Sequence, residues 1–285
     1  MNVPFHVDLD GKTAVVTGGS GVLGKEMAFA LAACGAKVAV IGRSKDKLDI
    51  VVKEIKENHG KALAVPANVL SKVELQQAYQ TIQSELGACD ILINGAGGNH
   101  PSGTTTKDTL EPQDLHNVEE DTRTFFDLDE DGVDFVMRLN FLGTLLPSQV
   151  FTKQMAEKGE GVIINVSSMN AFSPLTRIPA YSGAKAAVSN FTQWLAVHLA
   201  PTGVRVNAIA PGFFLTEQNR SLLLKEDGSL TERADKILSQ TPAERFGRAE
   251  ELTGTLLWLA DNRSSSFVNG IVVPIDGGFS AYSGV

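Results

Sequence analysis

The stretch Thr17-Gly18-Gly19-Ser20-Gly21-Val22-Leu23-Gly24 follows directly on the apolar run Thr13-Ala14-Val15-Val16, and the reading of its glycines decides the fold. Gly19, Gly21 and Gly24 satisfy the spacing G-x-G-x-x-G. Thr17, Gly18 and Gly24 instead fit a different loop, whose middle glycine would stand where this chain has Val22. Both readings set the stretch between a β-type run and a helical pattern, the context in which a glycine-rich turn holds a dinucleotide. Small residues let the backbone approach a pyrophosphate. The helix start near Val22 and Leu23 offers unpaired N–H groups and the positive end of a helix dipole.

Outward from this turn, apolar runs and helical patterns alternate. Residues 13–17, 37–41, 62–66, 90–93, 161–166, 205–209 and 271–275 read as strands. Residues 23–34, 45–58, 71–85, 133–157, 180–199 and 249–260 read as helices. Ser71 and Glu74 form a capping-box pattern, and Asp131 is expected to cap the helix that begins near Gly132. Strands separated by helices imply an α/β fold: a Rossmann-like, doubly wound, seven-stranded parallel sheet with helices on both faces. No linker or repeat divides the chain, so residues 1–285 are read as one domain. Two irregular excursions, 98–131 and 213–245, each follow a strand. Ligands of such sheets bind beyond the carboxyl ends of the strands, so both excursions are expected to wall a substrate site.

Composition narrows the function. With 43% hydrophobic residues the 285-residue chain can fill a sizeable core. Twenty-five Lys and Arg against thirty-three Asp and Glu give a net charge of -8, unfavourable for nucleic acid or a membrane surface. The N-terminal MNVPFHVDLDGK lacks the regions of a signal peptide, and no apolar run reaches the ~18–20 residues that span a bilayer. A soluble cytoplasmic protein is expected. Cys34 and Cys89 lack C-x-x-C spacing and read as buried, reduced small hydrophobes. Asp127, Asp129, Asp131 and Gly132 imitate the start of a calcium loop, but its twelfth position would be Arg138. His6, His59, His116 and His198 have no partners at ligand spacing, so no metal is expected.

Further positions point to the cofactor. A dinucleotide loop of the first kind expects an acidic residue at the end of the second strand, where this chain has Gly42-Arg43. Arg43 could pair with a 2′-phosphate, favouring NADP, or be a solvated surface arginine. Asn68, beside Val69, could meet an adenine edge or simply cap its turn. Asn94-Gly95-Ala96-Gly97 forms a second small-residue loop that lets the backbone pass close to a ribose.

The chemistry lies in Tyr181-Ser-Gly-Ala-Lys185. Spacing i,i+4 sets the phenol and the ammonium on one helix face. A nearby ammonium would stabilise the phenolate and bring a pKa of about 10 toward neutrality. Such a pair suits proton transfer at an alcohol oxygen while hydride moves at carbon. Ser168, ending the run VIINVSS, could present a hydroxyl to the same carbonyl. Asn140, in RLNFLG, is a polar residue in an apolar helical segment, either buried with a partner or marking a kink.

These motifs together resemble the single-domain short-chain dehydrogenase/reductase family over nearly the full chain. Its pattern T-G-x-x-x-G-x-G is matched by Thr17, Gly18 and Gly24, with Val22 departing. The Asn-Asn-Ala-Gly segment is answered by Asn94 to Gly97, with Gly95 replacing the second Asn. Pro-Gly-x-x-x-Thr is matched by Pro211, Gly212 and Thr216, and Asp-Gly-Gly by Asp276, Gly277 and Gly278. The resemblance implies a catalytic set of Asn140, Ser168, Tyr181 and Lys185. Tyr181 would be the acid–base and Lys185 would hold the nicotinamide ribose and lower the tyrosine's pKa. Ser168 would polarise the carbonyl, and Asn140 would position a relay water. It implies NAD or NADP held by Gly18, Ser20, Leu23, Gly24, Arg43, Asn68, Val69, Asn94, Ala96, Gly97, Tyr181, Lys185, Pro211, Gly212, Phe214 and Thr216. It also implies a homo-oligomer, most often a tetramer, built on the helices near 133–157 and 180–199 and the last strand. Phe279 and Tyr282 fit burial at such a contact.

A narrower likeness, in NGAGGNHP, FFDLDEDG, PGFFLTEQNR and the tail DGGFSAYSGV, is to the D-mannonate oxidoreductase branch of that family. It implies interconversion of D-fructuronate and D-mannonate. A sugar acid needs a cation or backbone donors for its carboxylate and polar groups for its hydroxyls. Asn99, His100, Asn170, Arg177, Asn219 and Arg220 are the candidates, accompanied by Glu217 and Gln218. Arg177 and Arg220 are read either as carboxylate ligands or as salt-bridge residues, and His100 either as a ligand or as an ordinary loop residue. Another polyol, ketose or 3-oxo-substrate reductase remains an alternative, as does a nucleotide-binding protein without catalysis.

Overall fold

Strand β1 (Thr13–Thr17) is buried along its whole length, as a strand with both faces covered must be. The computed structural model describes residues 6–116, 122–216 and 220–284. Around β1 lie β2 (Lys37–Gly42), β3 (Lys61–Pro66), β4 (Ile91–Asn94), β5 (Gly161–Val166), β6 (Val204–Pro211) and β7 (Val272–Ile275). They form one seven-stranded sheet in the order β3-β2-β1-β4-β5-β6-β7. Every pairing is parallel. The order reverses between β1 and β4, so the turns that leave those two strands open a crevice at the carboxyl edge.

Alternation along the strands divides the core. Ala14 and Val16 of β1, with Val38 and Val40 of β2, face one side and pack on α1 (Val22–Ala33), α2 (Lys45–Glu57) and α9 (Thr253–Ala260). Val15, Ala39 and Ile41 face the other side, against α3 (Lys72–Glu85), α5 (Gly143–Lys158) and α6 (Pro179–Leu199). That period of two, sandwiched between helices, is what the doubly wound expectation required.

Local departures from the sequence reading have identifiable causes. The expected helix 133–157 is two helices, α4 (Glu130–Met137) and α5, joined by a π turn at Arg138–Leu142. Asp129, not Asp131, caps α4: its carboxylate accepts the N–H of Gly132 at 3.0 Å, three residues on, where an N-cap reaches. Ser71 accepts the N–H of Glu74 at 3.3 Å, but the Glu74 carboxylate accepts from the backbone of Asn68 instead of completing a capping box. Cys89 is buried, whereas Cys34 at the exposed end of α1 is only partly so. The two excursions contain short 3-10 turns and the helices α7 (Arg220–Leu223) and α8 (Glu232–Ser239); α10 (Asn262–Ser265) follows α9. Among the described residues no helix is long and apolar enough to cross a membrane.

Candidate active site

The turn after β1 is fixed by close backbone approach. Gly18 has φ +67, and a Cβ there would stand 2.8 Å from Ala96 N and Gly95 O of the turn after β4. Gly24 lies against the same turn, where a Cβ would fall 2.2 Å from Gly18 O. Both positions therefore exclude a side chain, and they are the two glycines that fit the T-G-x-x-x-G-x-G pattern. Val22 is the first residue of α1, a position any residue adopts, with Gly21 as its N-cap in ordinary extended conformation. No side chain caps α1 and no acidic residue occupies its first turn. Its leading N–H groups and dipole thus suit an anionic pyrophosphate, and the residues present fit a dinucleotide. The Ser20 hydroxyl lies nearby, 3.4 Å from where a Cβ on Gly42 would stand.

Thr17 has a role that spacing did not reveal. Its Oγ1 accepts the N–H groups of Gly95 at 3.1 Å and Ala96 at 3.2 Å. It therefore locks together the two turns that form the crevice. Asn94, expected at the cofactor, has its side-chain amide turned into the core, donating to Ser148 Oγ at 2.9 Å and Asn165 Oδ1 at 2.8 Å. Asn68 takes the capping option: its Oδ1 accepts the N–H of Leu70 at 3.0 Å. Val69 packs against Gly143 at the head of α5, where a Cβ would come within 3.1 Å of its Cγ2. Arg43 is exposed just beyond the end of β2.

Beyond β4 and β5 the four expected catalytic residues converge. Asn140 is fully buried within the π turn; its Nδ2 donates to Gly98 O at 2.7 Å and Val136 O at 2.8 Å, and its Oδ1 accepts from Gly98 N. The inserted residue of that turn lets Asn140 bond both its own helix and the loop after β4. Gly97 lies between catalytic groups, since a Cβ there would be 2.7 Å from Asn140 Oδ1 and 3.2 Å from Lys185 Nζ. Lys185 is buried, donates to Val166 O at 2.8 Å, and has its Nζ 5.6 Å from the centroid of the Tyr181 ring. The Ser168 hydroxyl lies beside Tyr181 and accepts the N–H of Asn170 at 3.3 Å. Burial pushes the Tyr181 phenol above its usual value, while the Ser168 hydroxyl pulls the other way. This reverses the expected lowering by Lys185. Burial likewise brings Lys185 down to about 8.

The remaining expected residues are placed as follows. Pro211 ends β6, and Gly212 packs on Asp276, where a Cβ would be 2.6 Å from its Cα. The Phe214 ring covers Gly247, and Leu215 N donates to Gly247 O at 2.9 Å; Thr216 follows. Asn99 is exposed and donates to Thr104 Oγ1 at 3.1 Å. His100 caps a 3-10 turn, bonds Ser102 Oγ at 2.8 Å and packs on Phe135 at 5.3 Å. Asn170, two residues past Ser168, is buried with its Oδ1 lacking a partner. Arg177 pairs through Nε with Asp108 at 2.6 Å. Arg220 opens α7, whereas Glu217, Gln218 and Asn219 lie outside the described residues. Phe279 packs within the chain on Phe213 at 5.4 Å, and Tyr282 is 44% exposed. Asp127 and Asp129 are used as caps, on Thr124 and Gly132. No cluster of three or more His, Cys, Asp or Glu able to hold a metal occurs among the described residues.

A phenol with a serine close by, a buried lysine and an asparagine thus lie beside a crevice whose residues fit a dinucleotide, a combination suited to hydride transfer at an alcohol carbon. The chain belongs to the short chain dehydrogenase family, whose model matches residues 12–227. It is 54% identical to an uncharacterized oxidoreductase of Bacillus subtilis, covering 99% of this chain and 100% of that protein. It is 30% identical to the 5-keto-D-gluconate 5-reductase of Escherichia coli, over 95% of this chain and 96% of that protein. A crystal structure of a candidate D-mannonate oxidoreductase from Haemophilus influenzae, with bound NAD, superposes with TM-score 0.93 at 52% identity, covering 100% of both chains. A gluconate 5-dehydrogenase from Burkholderia cenocepacia, in complex with NADP and tartrate, superposes with TM-score 0.80 at 28% identity, covering 98% and 99%. The protein is therefore an oxidoreductase of alcohol and keto groups that uses a nicotinamide cofactor.

Proposed function

We propose that the protein interconverts D-fructuronate and D-mannonate, with Tyr181 as the acid–base. One observation carries the chemical assignment: the buried Lys185 lies alongside Tyr181, its Nζ 5.6 Å from the centroid of the phenol ring, with Ser168 close by. The cleft's polar residues support a sugar acid over an acyl chain. Among them Asn170 has a buried amide oxygen still seeking a partner, which a sugar hydroxyl would satisfy. The sugar-acid activities of several relatives point the same way.

In the reductive direction Ser168 donates a hydrogen bond to the substrate carbonyl, and Tyr181 gives its proton to that oxygen as the carbon is reduced. Once bound, the nicotinamide supplies the hydride, or accepts it in reverse. Gly18, Ser20, Leu23 and Gly24 would hold its pyrophosphate; Arg43, Asn68 and Val69 the adenosine end; the backbone of Asn94, Ala96 and Gly97, with Tyr181 and Lys185, the ribose; Pro211, Gly212, Phe214 and Thr216 the nicotinamide. Lys185, brought down to about 8 by burial, would gain a charge-stabilising partner in the ribose hydroxyls. Asn140 holds the loop at Gly98 and orders a water for proton return. His100, Asn99, Asn170, Arg220 and Asn219 would face the sugar acid. Arg43 gives the cofactor site a lean to NADP.

The rest of the reading is a cytoplasmic homotetramer of one-domain subunits. The test is steady-state turnover of D-fructuronate against a panel of keto-acids and ketoses, each with NADH and NADPH. A preference for a non-acidic ketose or a 3-oxoacyl substrate would overturn the sugar-acid assignment.

A further inference from the structure

Three segments that the sequence assigns to the substrate side meet at a single carboxylate. Asp108, in the excursion after β4, accepts from Arg177 Nε at 2.6 Å and from Thr176 Oγ1 at 3.0 Å, both in the segment between Ser168 and Tyr181. Its other oxygen accepts from Lys236 of α8, in the excursion after β6. The Asp108 side chain is only 25% exposed, less than its cationic partners. A lone exposed ion pair contributes little, but here one carboxylate gathers three donors from two distant segments. A fourth bond reinforces the join, from Thr105 N to Arg177 O at 2.8 Å.

The backbone at Arg177 shows that this join is under tension. Arg177 has φ +70, a left-handed conformation unfavourable to any residue with a Cβ. Surrounding contacts must hold it there, and those present are the Asp108 pair and the Thr105 bond. The next residue, Ile178, is the N-cap of α6, and Pro179 is its first helical residue. Tyr181 therefore lies in the first turn of a helix whose starting angle is set by the residue Asp108 holds.

We propose that Asp108 is a positioning residue that clasps the substrate walls, joining 104–108 to the start of α6 and to α8. Arg177 and Lys236 then serve mainly to hold the walls together, two cations around one carboxylate. The proposal rests on the placement of the cleft given above, and not on which sugar acid is reduced.

Hydrogen–deuterium exchange on the full-length protein without substrate is the first test. Asp108→Asn removes the charge while keeping a similar shape. Amides in 104–108, 176–182 and 232–239 are expected to exchange faster together, by roughly tenfold, as charge-assisted bonds are lost. Kinetically, the same variant should raise KM for whichever keto-acid the panel turns over by roughly tenfold, with a much smaller change in kcat and none in NAD(H) affinity. Lys236→Met, at a side chain 70% exposed, removes no core contact and should loosen 232–239 and 104–108. Faster exchange confined to 104–108, or unchanged exchange in both variants, would overturn the clasp. A panel without any turnover would defeat the substrate assignment while leaving the exchange result to decide the clasp.

Discussion

Tyr181 and Lys185 were readable from spacing, because a one-turn separation on a helix fixes their common face whatever else surrounds them. Their protonation was not readable. Burial raises the phenol and lowers the ammonium, opposite to what an isolated charge pair would do. Tyr181→Phe should lower turnover by roughly 10²–10⁴-fold while leaving cofactor affinity nearly unchanged, which stopped-flow binding beside steady-state assays would check. Lys185 makes a separate prediction about stability. Its folded value of about 8 lies below the ordinary 10.5, so between those values the unfolded chain holds a proton that the native state has lost. Stability therefore rises with pH through that window, and the full cost of the buried charge is felt below pH 8. Lys185→Met should stabilise the protein at pH 7 by on the order of 2 kcal/mol, less the loss of one hydrogen bond, while removing activity. Urea denaturation at pH 7 and pH 10 checks the sign: the gain should shrink at the higher pH, and an equal gain at both would exclude this origin. Arg43→Ala should raise KM for NADPH more than for NADH, and a parallel rise would leave Arg43 a surface residue.

The opening turn and the turn after β4 act as one unit. Thr17 Oγ1 accepts two backbone N–H groups across it, and Gly18 and Gly24 permit the contact by lacking side chains. Thr17→Val leaves two partly buried N–H groups without an acceptor and should cost about 2 kcal/mol, with weaker dinucleotide binding; Thr17→Ser should stay close to the parent. Thermal melts with and without NAD(H) would measure both effects. The pattern T-G followed by a glycine run was legible, since it reflects local chain geometry. Its partner at Ala96 was not, because that contact closes only when β1 and β4 pair. Strand positions were legible for the same local reason: Val15 and Val16 alternate between two faces that both need apolar residues. The π turn was legible only as a polar Asn140 in an apolar segment, which left burial with a partner and a kink both open; in the structure it is buried at the turn. Nor did any local signal mark Asp108, whose three donors come from segments remote in sequence.

Alternation of strand and helix implies the parallel sheet, whose helices then present an outer surface of their own. Along α6, Phe191, Trp194 and His198 form a stacked row, with Phe141 set edge-on to Phe191. Trp194 is 56% exposed and Val197 77%, an unusual outlay of apolar surface for a helix whose other face carries the core residues Leu195 and Ala196. Beside the row lies a groove of about 370 Å³ between α5 and α6, lined by Leu145, Ala156, Leu195 and Leu199 as well as the stacked rings. An apolar strip next to a groove is the kind of surface from which an isologous interface can be built, and the expected homo-oligomer would use it. The same helix bears Tyr181 and Lys185 in its first turns, so ordering α6 from outside would also steady the catalytic pair. Trp194→Glu would place a charge in the strip without touching the cleft. Sedimentation velocity should then report a smaller species than the parent at equal concentration, and activity should fall more steeply on dilution. An unchanged sedimentation coefficient would mean that this face stays in water and that the subunits, if they associate, do so elsewhere.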